Sequence, residues 1–176
     1  MKHPLHQFKF CPKCGSDAFQ ENNFKSNACS KCGFVYYMNV SGAVAVFILN
    51  NNNELLVCRR AHDPAKGTLD LPGGFVDLHE TAEEAVMREI KEETGLIISE
   101  LTYKFSLPNQ YLYSDFEVHT LDLFYQATAN DTTALEANDD VEDCKFVAIN
   151  ELQPTDFGLK SIRIAIDRFI KEQNNR

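Results

Sequence analysis

Long apolar runs and positive charge are both scarce in this chain. No segment approaches the length of an apolar transmembrane helix, and the first ten residues hold no apolar stretch of signal-peptide length. We therefore expect a cytoplasmic protein with no membrane contact. Asp and Glu outnumber Lys and Arg by 26 to 17, and the net charge of −9 argues against a general nucleic-acid-binding surface.

Disulfides are expected to be absent as well, because thiols stay reduced in the cytoplasm. The six cysteines therefore need another explanation. Cys58 and Cys144 each lie in an apolar run, and we interpret both as ordinary core cysteines.

The charge is unevenly distributed along the chain. Residues 1–38 carry five lysines against Asp17 and Glu21, a net charge of +3, and the remaining residues carry −12. This asymmetry predicts two modules, 1–38 and 39–176. The chain of 176 residues, 44% of them hydrophobic, is long enough for one globular domain with a substantial core and a small appendage.

The other four cysteines form two matched Cys-x-x-Cys pairs, each followed by glycine; they are Cys11, Cys14, Cys29 and Cys32. Four thiolates from two tight turns are the usual ligands of a tetrahedral structural zinc. Unrelated cysteines or a redox pair are the alternatives, but two pairs in one short polar segment favour zinc. The pattern resembles a zinc ribbon.

The second module reads as a mixed-sheet α/β or α+β domain. Period-two and buried apolar patterns predict strands, and longer amphipathic patterns predict helices. The predicted strands are 41–49, 55–60, 101–105, 116–128 and 144–149, and the predicted helices are 81–94 and 159–173. The first two strands are expected to pair as a hairpin across a polar turn.

The first predicted helix places three carboxylates on its inward face. Glu89, Glu92 and Glu93 continue the stripe that begins with Ala85 and Val86. Carboxylates facing the protein body are costly unless they are paired or bind a metal. Oxygen ligands without matching lysines suit Mg²⁺ or Mn²⁺. Periodicity alone leaves the metal site and a salt-bridged helix equally open.

A longer motif distinguishes these readings. Residues 74–96 match G-x5-E-x7-R-E-U-x-E-E-x-G-U, where U is aliphatic, at Gly74, Glu80, Arg88, Glu89, Ile90, Glu92, Glu93, Gly95 and Leu96. This resembles the Nudix box, and the match is complete. The resemblance covers about 39–176 and implies the Nudix fold, a mixed sheet sandwiched between helices.

Nudix proteins typically hydrolyse a nucleoside diphosphate linked to another moiety, with Mg²⁺ or Mn²⁺. The resemblance implies that Glu89 and Glu93 hold the metal directly and that Glu92 holds it directly or through water. The carbonyl of Gly73 is expected to complete the site. An acidic helix and an anionic diphosphate are compatible because metal ions lie between them.

The resemblance also implies supporting and proton-transfer roles. Arg88 is expected to pair with a box glutamate and orient it. Glu80 is expected to support the site or to bind the metal. Glu89 is a candidate base. Some members instead use an acidic residue from a loop outside the box, and Asp140 is our choice here, with a merely solvated loop as the alternative.

The combination of zinc ribbon and Nudix domain resembles NADH pyrophosphatases. Those enzymes carry S-Q-P-W-P-F-P after the box, whereas residues 106–114 here keep Ser106 and Pro108 and the whole chain has no tryptophan. We therefore expect a related branch with its own substrate, such as a dinucleotide, ADP-ribose or a nucleoside diphosphate sugar.

Two groups of residues are candidates for substrate binding. Tyr111, Tyr113 and Phe116 would stack on a base, although such aromatic residues also serve packing. Arg59 and Arg60 would contact a phosphate, although a surface arginine pair is equally compatible with the sequence.

The alternative function is a Nudix-fold ligand-sensing or nucleic-acid-binding regulatory module. The complete box favours catalysis, and the positive ribbon leaves nucleic-acid binding open as a secondary role. Isomerisation of a diphosphate on the same fold is disfavoured, since that branch departs from the box. A homodimer stays open.

Overall fold

The N-terminal module forms a small antiparallel sheet in the computed structural model, which describes residues 2–138 and 141–175. Strands β1 (Phe19–Asn23), β2 (Ser26–Cys29) and β3 (Val35–Tyr37) pair in the order β1-β2-β3. The core of this module is very small and consists of Cys11, Phe19 and Cys29, against which Cys32 and Phe34 pack. A core of this size stabilises little by itself.

The second module is a mixed sheet. Its strands are β4 (Ser41–Leu49), β5 (Glu54–Arg60), β6 (Leu69–Asp70), β7 (Ser99–Tyr113), β8 (Phe116–Thr128) and β9 (Val141–Ala148). The order is β6-β5-β4-β8-β7, with β9 paired to β5. β4 and β8 run parallel, whereas the other pairs are antiparallel, and the predicted β4–β5 hairpin is present.

Helices α1 (Ala82–Thr94) and α2 (Lys160–Asn174) cover opposite faces of this sheet. Alternate residues of β4 separate the two cores: Val46 packs with Val86 of α1, and Phe47 stacks on Phe169 of α2 with ring centroids 4.4 Å apart. The predicted mixed sheet between helices is confirmed. Two 3₁₀ turns, Ile149–Glu151 and Pro154–Asp156, lead into α2.

The helix that carries the box residues has clear end signals. The Thr81 hydroxyl accepts a hydrogen bond from the Glu84 backbone N–H, while the Glu84 carboxylate accepts one from the Thr81 N–H, which forms a capping box. The helix ends at Gly95, whose N–H donates to the Lys91 carbonyl. These ends agree with the predicted helix 81–94.

Strand β7 is much longer than the predicted 101–105. It runs through Pro108 as far as Tyr113. Proline within a strand usually argues against a central position, because it cannot donate to the ladder. β7 is an edge strand, paired in the order only with β8, so Pro108 is tolerated there.

The two modules touch at the β7–β8 turn. Gln7 Nε2 donates to the Asp115 carbonyl at 2.6 Å, and the Phe8 and Phe116 rings meet edge to face with centroids 5.6 Å apart. Phe116 therefore packs against the N-terminal module. Neither helix in the described part of the chain is both long enough and apolar enough to cross a membrane.

The prediction of two unpaired core cysteines was wrong. Cys58 and Cys144 are directly opposite each other on β5 and β9, with Cα atoms 4.2 Å apart, and form a disulfide. The sequence does not show this pairing because 86 residues separate the two cysteines and only the antiparallel register brings them together. The predicted cytoplasmic location, on which the expectation of free thiols rested, stays a prediction.

Candidate active site

The segment before α1 lies against the central strand and fixes one wall of the site. The backbone N–H groups of Val44 and Val46 donate to the carbonyls of Gly74 and Pro72, at 2.8 and 3.0 Å. Gly73 has φ 141°, and a Cβ there would overlap the Val44 carbonyl oxygen. Only glycine fits at this approach of two backbones.

Glu89 and Glu93 reach this glycine pair from successive turns of α1. Glu93 is only 8% exposed, and its Oε2 accepts a hydrogen bond from the Gly73 N–H at 2.9 Å. A Cβ on Gly74 would lie 2.5 Å from Glu89 Oε1, so that carboxylate rests directly against the backbone. Residues four apart on a helix share a face, and here both carboxylates lie against the Gly73–Gly74 backbone.

Arg88 is the cation at the centre of the acidic group. Its Nε and Nη2 bind both carboxylate oxygens of Glu80, at 2.8 and 2.9 Å, and its Nη1 binds Glu89 and Glu92 at 2.8 and 3.1 Å. The hydrogen bonds from Arg88 lower the pKa of Glu80 to about 2. Burial raises the pKa of Glu89, although Arg88 opposes that effect.

Glu89, Glu92 and Glu93 offer carboxylate oxygens for a hard divalent cation, although among the described residues only the four paired cysteines bring three or more potential ligand atoms within 4.8 Å of one another. Carboxylate oxygens of Glu89 and Glu93 face one backbone segment, and the Glu92 side chain, 51% exposed, is linked to Glu89 through Arg88. Mg²⁺ and Mn²⁺ prefer such oxygen ligands. The predicted loop carboxylate, Asp140, lies outside the described residues.

The four paired cysteines also converge. Their sulfur atoms all lie within 4.8 Å of one another, and Cys11–Cys32 and Cys14–Cys29 are each 3.7 Å apart. A tetrahedral zinc with Zn–S bonds of about 2.3 Å requires sulfur separations of about 3.8 Å. Gly15 and Gly33, at φ 71° and 73°, close the two turns. The arrangement is therefore compatible with a structural zinc.

A cavity of about 380 Å³ opens beside Glu93 and the Gly73–Gly74 backbone. Glu93, Gly73 and Gly74 lie along it, as do the four residues predicted to bind substrate, Arg59, Arg60, Tyr111 and Tyr113. The volume lies within the range of small-molecule sites.

The two arginines also hold the loop that lines part of the cavity. Arg59 Nη1 donates to the Gly67 carbonyl at 2.5 Å, and Arg60 Nε donates to the Pro64 carbonyl at 2.7 Å. Arg60 Nη1 pairs with Asp70 at 2.5 Å. Burial raises the pKa of Asp70, and the Arg60 charge opposes it. A phosphate would therefore compete with contacts that these arginines already make.

Four polar residues in or beside the cavity lining, Asn109, Thr120, Asp122 and Ser161, were not predicted from the sequence. The Asp122 carboxylate accepts hydrogen bonds from the hydroxyls of Thr120 and Ser161, both at 2.5 Å. Asn109 pairs with Thr120 across β7 and β8. A signal for Asn109 was available, because aligning Ser106 and Pro108 with S-Q-P-W-P-F-P puts Asn109 at the tryptophan position.

Sequence comparison identifies relatives of this chain. An ADP-ribose pyrophosphatase of Methanocaldococcus jannaschii is 37% identical over 130 residues, which cover 72% of this chain and 74% of that protein. A NAD-capped RNA hydrolase, NudC, of Vibrio atlanticus is 32% identical over 106 residues, covering 60% of this chain. The matched region is only 39% of the length of that hydrolase.

A solved structure shares the fold of this chain. A NUDIX hydrolase structure from Nitrosomonas europaea superposes with a TM-score of 0.75 at 21% identity, over 95% of this chain and 93% of that one. The family model of the NUDIX domain matches residues 40–168. With this match and with Glu93 of the box lining the cavity, this chain belongs to the Nudix family.

Proposed function

We propose that this Nudix pyrophosphohydrolase cleaves the pyrophosphate bond of a nucleoside diphosphate linked to another group, with Mg²⁺ or Mn²⁺ held by the box glutamates. The observation that supports this most directly is the approach of Glu89 and Glu93 to the Gly73–Gly74 backbone, next to the cavity that Gly73, Gly74 and Glu93 line. The complete set of box glutamates favours catalysis over the ligand-sensing alternative.

A bound divalent ion supplies charge neutralisation at the diphosphate and a more acidic water. The protein positions the carboxylates that would hold this ion. Glu93 is fixed by the Gly73 N–H, and Arg88 restrains Glu89 and Glu92 while anchoring to Glu80. The Gly73 carbonyl and Glu80 remain proposed ligands, and Glu89 and Asp140 remain the two proposed bases.

ADP-ribose and NAD(H) are the first substrates to test. The named relatives act on ADP-ribose and on NAD-capped RNA, and both compounds contain adenosine diphosphate joined to a second moiety. We expect Mg²⁺- or Mn²⁺-dependent release of a nucleoside monophosphate, detected by chromatography, from one member of a panel of ADP-ribose, NADH and nucleoside diphosphate sugars; the product is AMP from ADP-ribose or NADH. Absence of cleavage across the panel with either metal would reject the proposed reaction.

Capped RNA is a second candidate substrate. The charged side chains of the N-terminal module sum to +3, or to +1 once four thiolates hold Zn²⁺, and the module exposes Phe10 and Phe24, 65% and 82% accessible, each next to a lysine in sequence. Exposed aromatic rings beside cations are typical of single-stranded nucleic-acid binding. Cleavage of a capped oligonucleotide that weakens steeply with added salt, while cleavage of free dinucleotide does not, would support this reading.

We also propose that Cys11, Cys14, Cys29 and Cys32 bind one structural zinc. The sulfur separations support the assignment, and a four-thiolate site leaves no open coordination position. The metal would therefore stabilise the module rather than take part in hydrolysis. A homodimer and a cytoplasmic location remain predictions.

A further inference from the structure

The end of the β7–β8 hairpin, residues 110–119, extends beyond the packed cores of the second module. The two hydrophobic cores of that module contain no described residue from 110–119, whereas Leu107 and Phe124, on the same two strands, belong to one of them. The four residues 112–115 are all exposed. A two-stranded hairpin without a core to pack against is marginally stable. The hairpin end therefore needs a partner that holds it in one position.

The turn at the tip joins the two strands tightly and is contacted by the N-terminal module. Tyr113 pairs with Phe116, and the two residues between them, Ser114 and Asp115, have φ of 49° and 59°. Positive φ at both central residues is the requirement of a type I′ hairpin turn. Gln7 of the N-terminal module donates from Nε2 to the Asp115 carbonyl at 2.6 Å. The N-terminal module therefore binds the backbone of the turn.

Phe8 links this hairpin end to the body of the N-terminal module. Its ring meets the Phe116 ring edge to face, and it also stacks on Tyr36 of β3 with centroids 6.2 Å apart. The Phe8 N–H donates to the carbonyl of Leu5, whose side chain is completely buried. Phe8 is thus held from its own module on two sides while its ring contacts the hairpin.

The same hairpin end forms part of the cavity wall. Tyr111, Tyr113 and Val118 all line the cavity. Burial raises the pKa of the Tyr111 hydroxyl, and the charge of Arg60, another residue of the lining, opposes that effect. Tyr111 therefore lies close to the charged groups of the cavity. A displacement of the hairpin end would move these side chains relative to the rest of the lining.

We propose that Phe8 is a positioning residue: through Phe116 it holds the hairpin end in place and so fixes the part of the cavity wall formed by Tyr111 and Tyr113. The N-terminal module then sets the affinity for substrate without contacting it. This inference rests on the proposed function for the identity of the reaction. A hairpin end that samples several positions binds substrate in only a fraction of them, and the apparent affinity falls by that fraction.

Hydrogen exchange measures the restraint on the hairpin end without any substrate. Phe8→Ala should raise the amide exchange rates of residues 110–118 about tenfold or more, because the hairpin end then opens locally. Helix α1 should keep its protection, since it packs in a core that the hairpin end does not share. Unchanged exchange in 110–118 would overturn the proposal. This measurement needs no turnover, so it separates failure of this inference from failure of the proposed function.

Steady-state kinetics test the consequence for substrate, with ADP-ribose or NADH, whichever the wild type hydrolyses faster. Phe8→Ala should raise KM about fivefold or more and leave kcat within about twofold, because the box glutamates lie on α1, outside the hairpin. Phe8→Tyr keeps the ring and should retain the wild-type KM, since this side chain is 38% exposed. A wild-type KM in Phe8→Ala, or a loss confined to kcat, would reject the positioning role.

Phe116→Ala breaks the same contact from the second module and leaves the N-terminal module intact. It should raise KM by a similar factor, and the double variant Phe8→Ala/Phe116→Ala should be no worse than either single variant, because both changes remove one contact. Independent effects that multiply in the double variant would overturn the proposal. Tyr37→Ala is the matched control, because Tyr37 is a neighbouring aromatic residue at the end of β3, 46% exposed, and should keep the wild-type KM.

Discussion

Arg88 binds both carboxylate oxygens of Glu80, eight residues earlier, and so ties the loop before α1 to the helix. Lysine carries the same charge but cannot make this two-point contact. We expect Arg88→Lys to lower the melting temperature by roughly 5 °C and to lower kcat/KM about tenfold or more, because Glu89 and Glu92 lose their shared partner. Unchanged melting and kinetics would show that these contacts are dispensable.

Glu93→Gln should separate stability from activity. The amide oxygen can still accept the Gly73 N–H, and one negative charge leaves an acidic face, so the metal-free variant should be at least as stable as the wild type. Turnover should fall by orders of magnitude, and added Mg²⁺ should raise the melting temperature less than in the wild type.

The control for that variant is Glu83→Gln on the same helix. Glu83 is exposed and accepts a hydrogen bond from the Tyr125 hydroxyl, which glutamine can also accept. It should keep both turnover and the Mg²⁺ response. Normal turnover in Glu93→Gln would end the metal-site interpretation of this helix.

Zinc content should depend on the paired cysteines alone. We expect about one zinc per chain in purified protein, by elemental analysis, and nearly complete loss in Cys29→Ser, because a structural site needs all four ligands. Cys144→Ser is the matched control and should retain the metal. Equal zinc content in the two variants would contradict the four-cysteine site.

Thiol counting tests the β5–β9 disulfide. Alkylation of denatured protein with a chelator present should modify four of the six cysteines without reductant and all six after reduction. The reduced protein should be less stable by about 2–4 kcal/mol, because the cross-link restricts the unfolded chain. Six modified cysteines without reductant would show that Cys58 and Cys144 are free.

Local signals predicted much of the fold and of the box helix. The capping pair Thr81 and Glu84, the stop at Gly95 and the stripe ending in Glu93 depend only on neighbours within a few residues. The strand 41–49 was also predicted from a local signal, because its continuous apolar run is typical of a strand that is buried on both faces.

Features that depend on register between distant segments were not predicted. The Cys58–Cys144 pairing and the juxtaposition of Asn109, Thr120 and Asp122 require knowing which strands are neighbours. The predicted strand 101–105 covers only part of β7, which continues through Pro108 because it lies at the edge of the sheet. Arg59 and Arg60 were predicted either to bind a phosphate or to lie on the surface. Their hydrogen bonds to the 61–68 loop could not be predicted, because these contacts depend on the three-dimensional path of that loop.

The parallel pairing of β4 with β8 also constrains the order of folding. Ser41 pairs with Thr120, and the chain between these two residues contains α1 and the Gly73–Gly74 segment. Closing so long a loop is slow, since non-local contacts are formed only after their entropy cost is met. The capped helix can form early, but its glutamates contact Gly73 and Gly74 only once that segment lies against β4. The proposed metal site would therefore be completed late in folding, and a bound metal would stabilise the folded protein rather than its folding nucleus.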